Sequence, residues 1–138
     1  MNKAYVLDAC ALIALLLNEE GADIVARAYK DANSGNAKIV INSVNLLEVY
    51  YDFYRAQDKE TADDMIANVY ASVVSVVAEI DRALIAEAGR LKAIYKISLA
   101  DSFALAQAKI TEGMLLTSDH HEFDAIEGSE PIQFMWLR

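Results

Sequence analysis

The stretch Ala4-Tyr5-Val6-Leu7-Asp8-Ala9-Cys10-Ala11-Leu12-Ile13-Ala14-Leu15-Leu16-Leu17 decides the fold. An apolar, strand-forming run ends on one carboxylate and passes directly into a long apolar helix. This is how a buried strand of a parallel sheet meets its crossover helix. Asp8 has two readings at that junction. It caps the helix by accepting from its orphan N–H groups, or it holds a cation at the carboxyl end of a central strand, where open α/β sheets bind ligands. An acid recurs at an element junction at Glu48, Asp101 and Asp119, which keeps the second reading open.

Outward from that stretch, strands alternate with helices. Asn18-Glu19-Glu20-Gly21 breaks the first helix, and Ala22 to Ala32 reads as a second, with Ile24, Val25 and Ala28 facing inward. Lys38 to Asn42 is a short β-branched strand. Ser43-Val44-Asn45 opens a helix with Leu46, Leu47, Tyr50, Tyr51 and Tyr54 at helical spacing, so Glu48 lies in its first turns. A helix over Glu60 to Tyr70 precedes a buried strand, Val73 to Val77, and Asp81 caps a helix running to Tyr95. The alanine-rich segment Ser98 to Ala108 carries Asp101 in its first turn, and Met114 to Thr117 is a strand that delivers Asp119. Pro131 introduces a last strand, Ile132 to Trp136, whose tryptophan packs in the core or over an edge. The expected fold is α/β, a three-layer arrangement with a mostly parallel central sheet flanked by helices, in a single domain over 1–138.

At 138 residues one core suffices. No apolar run reaches the roughly 20 residues that a membrane span requires. Asp8 interrupts the one candidate leader segment, and the single cysteine forms no internal disulfide, so a cytoplasmic location is expected. The formal charge of −9, from 12 Lys+Arg against 21 Asp+Glu, repels polyanions. A nucleic-acid ligand would need metal ions, a local basic face or a basic partner. Lys38, Arg55, Lys59, Arg90, Lys92 and Lys96 are the candidates for such a rim. The apolar content of 55%, with seven tyrosines, exceeds what one core of this size needs and leads to the expectation of a homodimer.

Each acid also has a structural explanation: Asp119 as an N-cap, Asp101 as a match to the helix dipole, and Glu48 as the glutamate of an Asn45-Leu46-Leu47-Glu48 capping box. If the strands before Asp8 and Asp119 are neighbours, about 4.8 Å apart, their carboxylates reach one ion. Two carboxylates 4 Å apart repel by about 4 kcal/mol at an effective dielectric of 20, so either their pKa values rise or a cation sits among them. An oxygen-only donor set favours Mg²⁺ or Mn²⁺.

Four segments carry a resemblance: Val6-Leu7-Asp8-Ala9-Cys10-Ala11-Leu12, Asn45-Leu46-Leu47-Glu48-Val49, Ser98-Leu99-Ala100-Asp101-Ser102 and Leu116-Thr117-Ser118-Asp119-His120-His121-Glu122-Phe123. Together they resemble the motifs of PIN-domain nucleases, and their order and spacing are similar to those of the toxin component of VapBC toxin–antitoxin pairs. The resemblance implies a PIN fold and a metal-dependent endoribonuclease, with Asp8, Glu48, Asp101 and Asp119 as the catalytic, metal-binding quartet. It also implies an RNA substrate and a VapB-like antitoxin whose C-terminal segment lies in the groove and places a basic side chain among the acids. Thr117 matches the threonine usual before the last acid, whereas Cys10 stands where a serine or threonine is common.

Other chemistry has less support. Cys10 lacks a nearby base and reads as a packed thiol, and His120 and His121 lack the spacing of zinc ligands and read as solvated. Asp52, Glu122 and Asp124 read as exposed charge. Two alternatives remain: a PIN-type DNA or flap nuclease, and a receiver-like, Mg²⁺-binding phosphoacceptor domain. The second lacks the adjacent acids after its first strand and the late lysine that such a domain needs.

Overall fold

The computed structural model describes residues 3–138. The chain alternates as expected: β1 (Lys3–Leu7) leads into α1 (Ala9–Leu16), and α2 (Ala22–Asn33) leads into β2 (Ala37–Asn42). Two helices follow, α3 (Ser43–Ala56) and α4 (Lys59–Ala71), before β3 (Val74–Val77). Next come α5 (Arg82–Ile94), α6 (Leu99–Thr111), β4 (Met114–Thr117), the single turn α7 (His120–Phe123) and β5 (Gln133–Trp136). All four strand pairings are parallel, in the order β3-β2-β1-β4-β5. A receiver-like domain orders its strands 2-1-3-4-5, so the topology excludes that alternative.

Side-chain alternation along the strands builds three layers. Tyr5, Leu7, Ile39, Ile41 and Leu116 point to one face, packed by α1 to α4; Val6, Val40 and Leu115 point to the other, packed by α5, α6 and the α7 segment. Strands apolar on both faces are what a fully covered parallel sheet demands, and each buried Leu or Val contributes about 1.5 to 3 kcal/mol. The alanines of α6, Ala104, Ala106 and Ala108, are almost wholly buried and bring its backbone close to the sheet. Gly21, at φ 94°, lies where a Cβ would come within 2.5 Å of the Leu137 Cβ, so only glycine fits at the start of α2.

Several expectations change. β3 is a half-exposed edge strand rather than a buried one, because it lies at the end of the five-stranded order. In α2 the inward positions are Ala22, Val25, Ala28 and Ala32, while Ile24 is half-buried. α3 begins one turn before the expected capping box: Asn42 is its N-cap and accepts from the Val44 N–H at 2.9 Å. That shift turns Asn45, Leu46 and Val49 inward and leaves Leu47, Tyr51 and Tyr54 exposed. Trp136 covers an edge, half-buried on β5. Among the described residues no helix is long and apolar enough to cross a membrane.

Candidate active site

The strand order reverses between β1 and β4, which puts a crevice at their carboxyl ends. Leu7 pairs with Leu116, so Asp8 and Thr117 leave the sheet side by side. Asp8 is 2% exposed and is the N-cap of α1. One of its oxygens accepts from the Ala11 N–H at 2.9 Å, and the other accepts from the Thr117 hydroxyl. Thr117 in turn accepts from the Asp119 N–H at 3.1 Å, so a single buried hydroxyl ties the two strand-end acids together. Asp119 caps α7 by accepting from the Glu122 N–H at 3.2 Å. Capping is therefore real at both positions, yet it does not exhaust either carboxylate.

The other two acids arrive from helices. Glu48 stands on α3, half-buried, and Asp101 stands in the first turn of α6, where the Ser98 hydroxyl accepts from its N–H at 3.1 Å. All four carboxylates line one cavity of about 280 Å³, together with Cys10, Ser98, Asp52 and Glu122. Asp52 and Glu122 were expected to be plain surface charge. Asp52 lies one turn beyond Glu48 on the same helical face, and Glu122 lies one turn beyond Asp119, a spacing that could have revealed both. No lysine, arginine or histidine is among the residues lining the cavity.

That imbalance sets the electrostatics. Burial pushes the Asp8 carboxyl up from 3.8 to about 7 against the two hydrogen bonds it accepts, and Asp101 and Asp119 add to the rise. Burial likewise moves Asp101 up to about 7, with Asp119, Glu122 and Glu48 contributing repulsion. Glu48 rises through burial, then through Asp52 and Asp119. Cys10, half-buried and facing the same acids, is pushed up to about 12, by burial first and then by the acids, which opposes formation of the nucleophilic thiolate.

The other candidates are occupied elsewhere. His120 is not simply solvated: its Nδ1 lies 2.7 Å from Asp124, its Nε2 lies 2.7 Å from the Arg138 carbonyl, and its ring stacks on Trp136 at 3.9 Å. Among the proposed rim residues, Arg90 pairs with Glu87 and Glu130, Lys59 with Asp63, and Lys92 with the Ile97 carbonyl. Arg55 bonds Asp52 at 3.1 Å and thereby approaches the cavity.

The donor set fits a hard divalent cation: it is all oxygen, anionic in excess, and holds one carboxylate wholly out of water. Among the described residues, no three acid, histidine or cysteine side chains converge tightly enough to enclose an ion directly. A cation that keeps most of its own water, as Mg²⁺ does, suits that spacing.

An all-parallel three-layer α/β sheet with an acidic cleft at its switch point defines the class of protein. The sequence matches the PIN domain family over residues 5–128, and the chain belongs to that family. No curated protein sequence matches it. The fold is similar to that in VapBC2 of Rickettsia felis bound to a promoter DNA fragment, at TM-score 0.73 and 17% identity, covering 96% of this chain and 98% of that one. DNA-bound VapBC from Salmonella typhimurium is similar at TM-score 0.72 and 17% identity, covering 100% of both chains. VapC20 of Mycobacterium tuberculosis, described as a sarcin-ricin loop cleaving toxin, is similar at TM-score 0.63 and 15% identity, covering 80% of this chain and 86% of that one.

Proposed function

We propose that this PIN-domain protein is a divalent-metal-dependent endoribonuclease and the toxin of a toxin–antitoxin pair, with Asp8, Glu48, Asp101 and Asp119 as its catalytic and metal-holding residues. The observation that carries the reading is the cavity of six carboxylates without a cationic side chain. A phosphodiester has no side-chain counter-charge there, so a polyanion enters only together with cations. Bound among the acids, Mg²⁺ or Mn²⁺ would supply positive charge for the phosphate and a water of lowered pKa. Asp8, fixed by Ala11 and Thr117, and Asp119, fixed through the same threonine, would hold the cation from the sheet side. Asp101 and Glu48 would hold it from the helices. The carboxylates are the only general-base candidates among the residues described as lining the cavity.

RNA is favoured over a DNA flap because the described residues carry no additional clamping element beyond the sheet and its helices, and because VapC20, whose fold is similar, is described as cleaving the sarcin-ricin loop. An antitoxin is the proposed partner. An apolar hollow lined by Ile13, Leu17, Phe53 and Ala56 adjoins the acid cavity and shares Ile13 and Asp52 with it, which suits an apolar segment that ends in a basic side chain. A homodimer is proposed from the exposed Leu47, Tyr51, Tyr54, Ile85, Ile94 and Leu99, each at least 46% exposed.

Protein freed of any partner, incubated with cellular RNA, tests the reading. Cleavage is expected with Mg²⁺ or Mn²⁺, none in EDTA, and none from Asp119→Asn, whose amide keeps the oxygen that caps α7. Equal cleavage by wild type and Asp119→Asn would overturn it.

A further inference from the structure

Among the described residues, Asn45 is the one with a buried side-chain polar atom that lacks a hydrogen-bond partner. It is 1% exposed; its amide NH₂ donates to the Ala100 carbonyl at 3.0 Å, while its own Oδ1, fully buried, has no partner. A helix carbonyl has a second lone pair beyond its intrahelical bond, so Ala100 does not need this donor. An apolar side chain of the same branching, as in leucine, would leave no acceptor orphaned, so burial by itself does not call for an amide here. The amide is explained by where its bond lies. Asn45 is one turn before Glu48 on α3, and Ala100 immediately precedes Asp101 on α6.

A second amide bond runs along the same contact. Asn42 donates to Gln107 at 3.1 Å, so three residues up α3 correspond to seven residues back along α6, and the two helices run antiparallel along a polar seam. The seam opens into the cavity at Glu48 and Asp101, two like charges that repel each other. Among the described residues, the Asn45 amide makes the one side-chain hydrogen bond that joins α3 to α6 at the level of the acids. We infer that Asn45 is a positioning residue, a clamp that holds the Glu48 helix against the Asp101 helix so that the two carboxylates face a common cation.

The inference rests on the metal-site reading for its consequence, though not for its geometry, so it is tested in two arms. In EDTA, amide hydrogen exchange of the full chain reads the clamp alone. Asn45→Leu is expected to speed exchange in the first turn of α6 by about tenfold, whereas Gln107→Leu, which breaks the far end of the seam, leaves that turn unchanged. In the second arm, calorimetric titration with Mn²⁺ is expected to show about tenfold weaker binding for Asn45→Leu, the usual cost of losing a group that orients a ligand. Gln107→Leu is expected to stay within about twofold of wild type, and Asn45→Thr, which restores a hydroxyl donor, is expected to recover part of the loss. Unchanged exchange in Asn45→Leu, Mn²⁺ binding as tight as wild type, or an equal loss in Gln107→Leu would overturn the clamp. If Asn45→Leu does not fold, equal Mn²⁺ affinities for Asn45→Thr and Asn45→Ala would overturn it instead. Failure of the wild type to bind Mn²⁺ contradicts the metal-site reading, and the exchange arm then decides the clamp on its own.

Discussion

Two groups of acids in this molecule behave in opposite ways. Glu87 and Glu130, on and beyond α5, lie in a network with Arg90, Lys109 and Tyr95, and their carboxyls are held below the usual glutamate range by hydrogen bonds from Arg90 first of all. Asp8 and Asp101, in the cleft, are raised to about 7. Burial raises the cleft acids first of all, and no cationic side chain offsets it there, whereas at Glu87 and Glu130 the hydrogen bonds from Arg90 outweigh a smaller cost of burial. A cluster that contains its own cations is complete and serves the fold. A cluster that lacks them is incomplete in the protein alone, and that incompleteness is what points to a cation from solution.

The comparison breaks most visibly if the cleft acids are neutralised. Asp8→Asn keeps the oxygen that caps α1, and the Thr117 hydroxyl both donates and accepts, so an amide fits in the same place. RNA cleavage is expected to fall by more than about a hundredfold, beyond the cost of losing a group that merely orients a ligand. In EDTA at pH 8 the variant is expected to melt at or above the wild-type temperature, since a buried charge has been removed. A variant that melts well below wild type would make Asp8 a cap and little else.

The pH dependence of the metal-free protein separates the two clusters by sign. Asp8 and Asp101 have folded pKa values above their unfolded ones, so the native state binds more protons, and stability falls as pH rises from about 4 through about 7. For the fully buried Asp8 the loss is on the order of 3 kcal/mol. Glu87 and Glu130 have depressed values, so their contribution is complete above the unfolded glutamate pKa and is lost as pH falls through the folded values. Denaturant melts in EDTA across that range, on wild type and Asp8→Asn, are expected to show the alkaline loss shrinking in the variant. An unchanged profile would remove Asp8 from the account.

A smaller effect is expected at the completed cluster. Glu130, with a side chain 8% exposed, accepts from both Arg90 and Tyr95. Glu130→Gln should cost about 1 to 2 kcal/mol, the worth of charge-assisted hydrogen bonds, with the cleavage rate per folded molecule unchanged. Loss of cleavage in this variant would blur the distinction between the two clusters.

That Asp8, Glu48, Asp101 and Asp119 line one cavity was legible because Asp8 and Asp119 follow strands, Asp101 lies in the first turn of α6 and Glu48 in the second turn of α3, and a parallel sheet brings such positions to one edge. The three layers were legible from strands apolar on both faces, such as Ile39-Val40-Ile41 and Leu115-Leu116. Asn45 was not, because asparagine three residues before a glutamate has the local signature of a capping box, and its true partner is Ala100, 55 residues away. His120 was missed for a similar reason: its Asp124 partner is one turn on, but the Arg138 carbonyl and the Trp136 ring reach it only when β5 is in place. Periodicity placed α3 without fixing its inward face: of the apolar positions at helical spacing, Leu46 and Tyr50 pack on the core while Leu47, Tyr51 and Tyr54 are exposed.

The central claim is that the cleft is completed by a divalent cation, and thermal melting with and without millimolar Mn²⁺ tests it most directly. A ligand present at a hundredfold over its Kd stabilises the native state by about 2.7 kcal/mol, which raises the melting temperature of a chain of this size by several degrees. Such a rise is predicted for wild type at pH 8 and for Glu130→Gln, and its absence is predicted for Asp8→Asn and Asp101→Asn. No rise in the wild type, or an equal rise in all four proteins, would contradict the account.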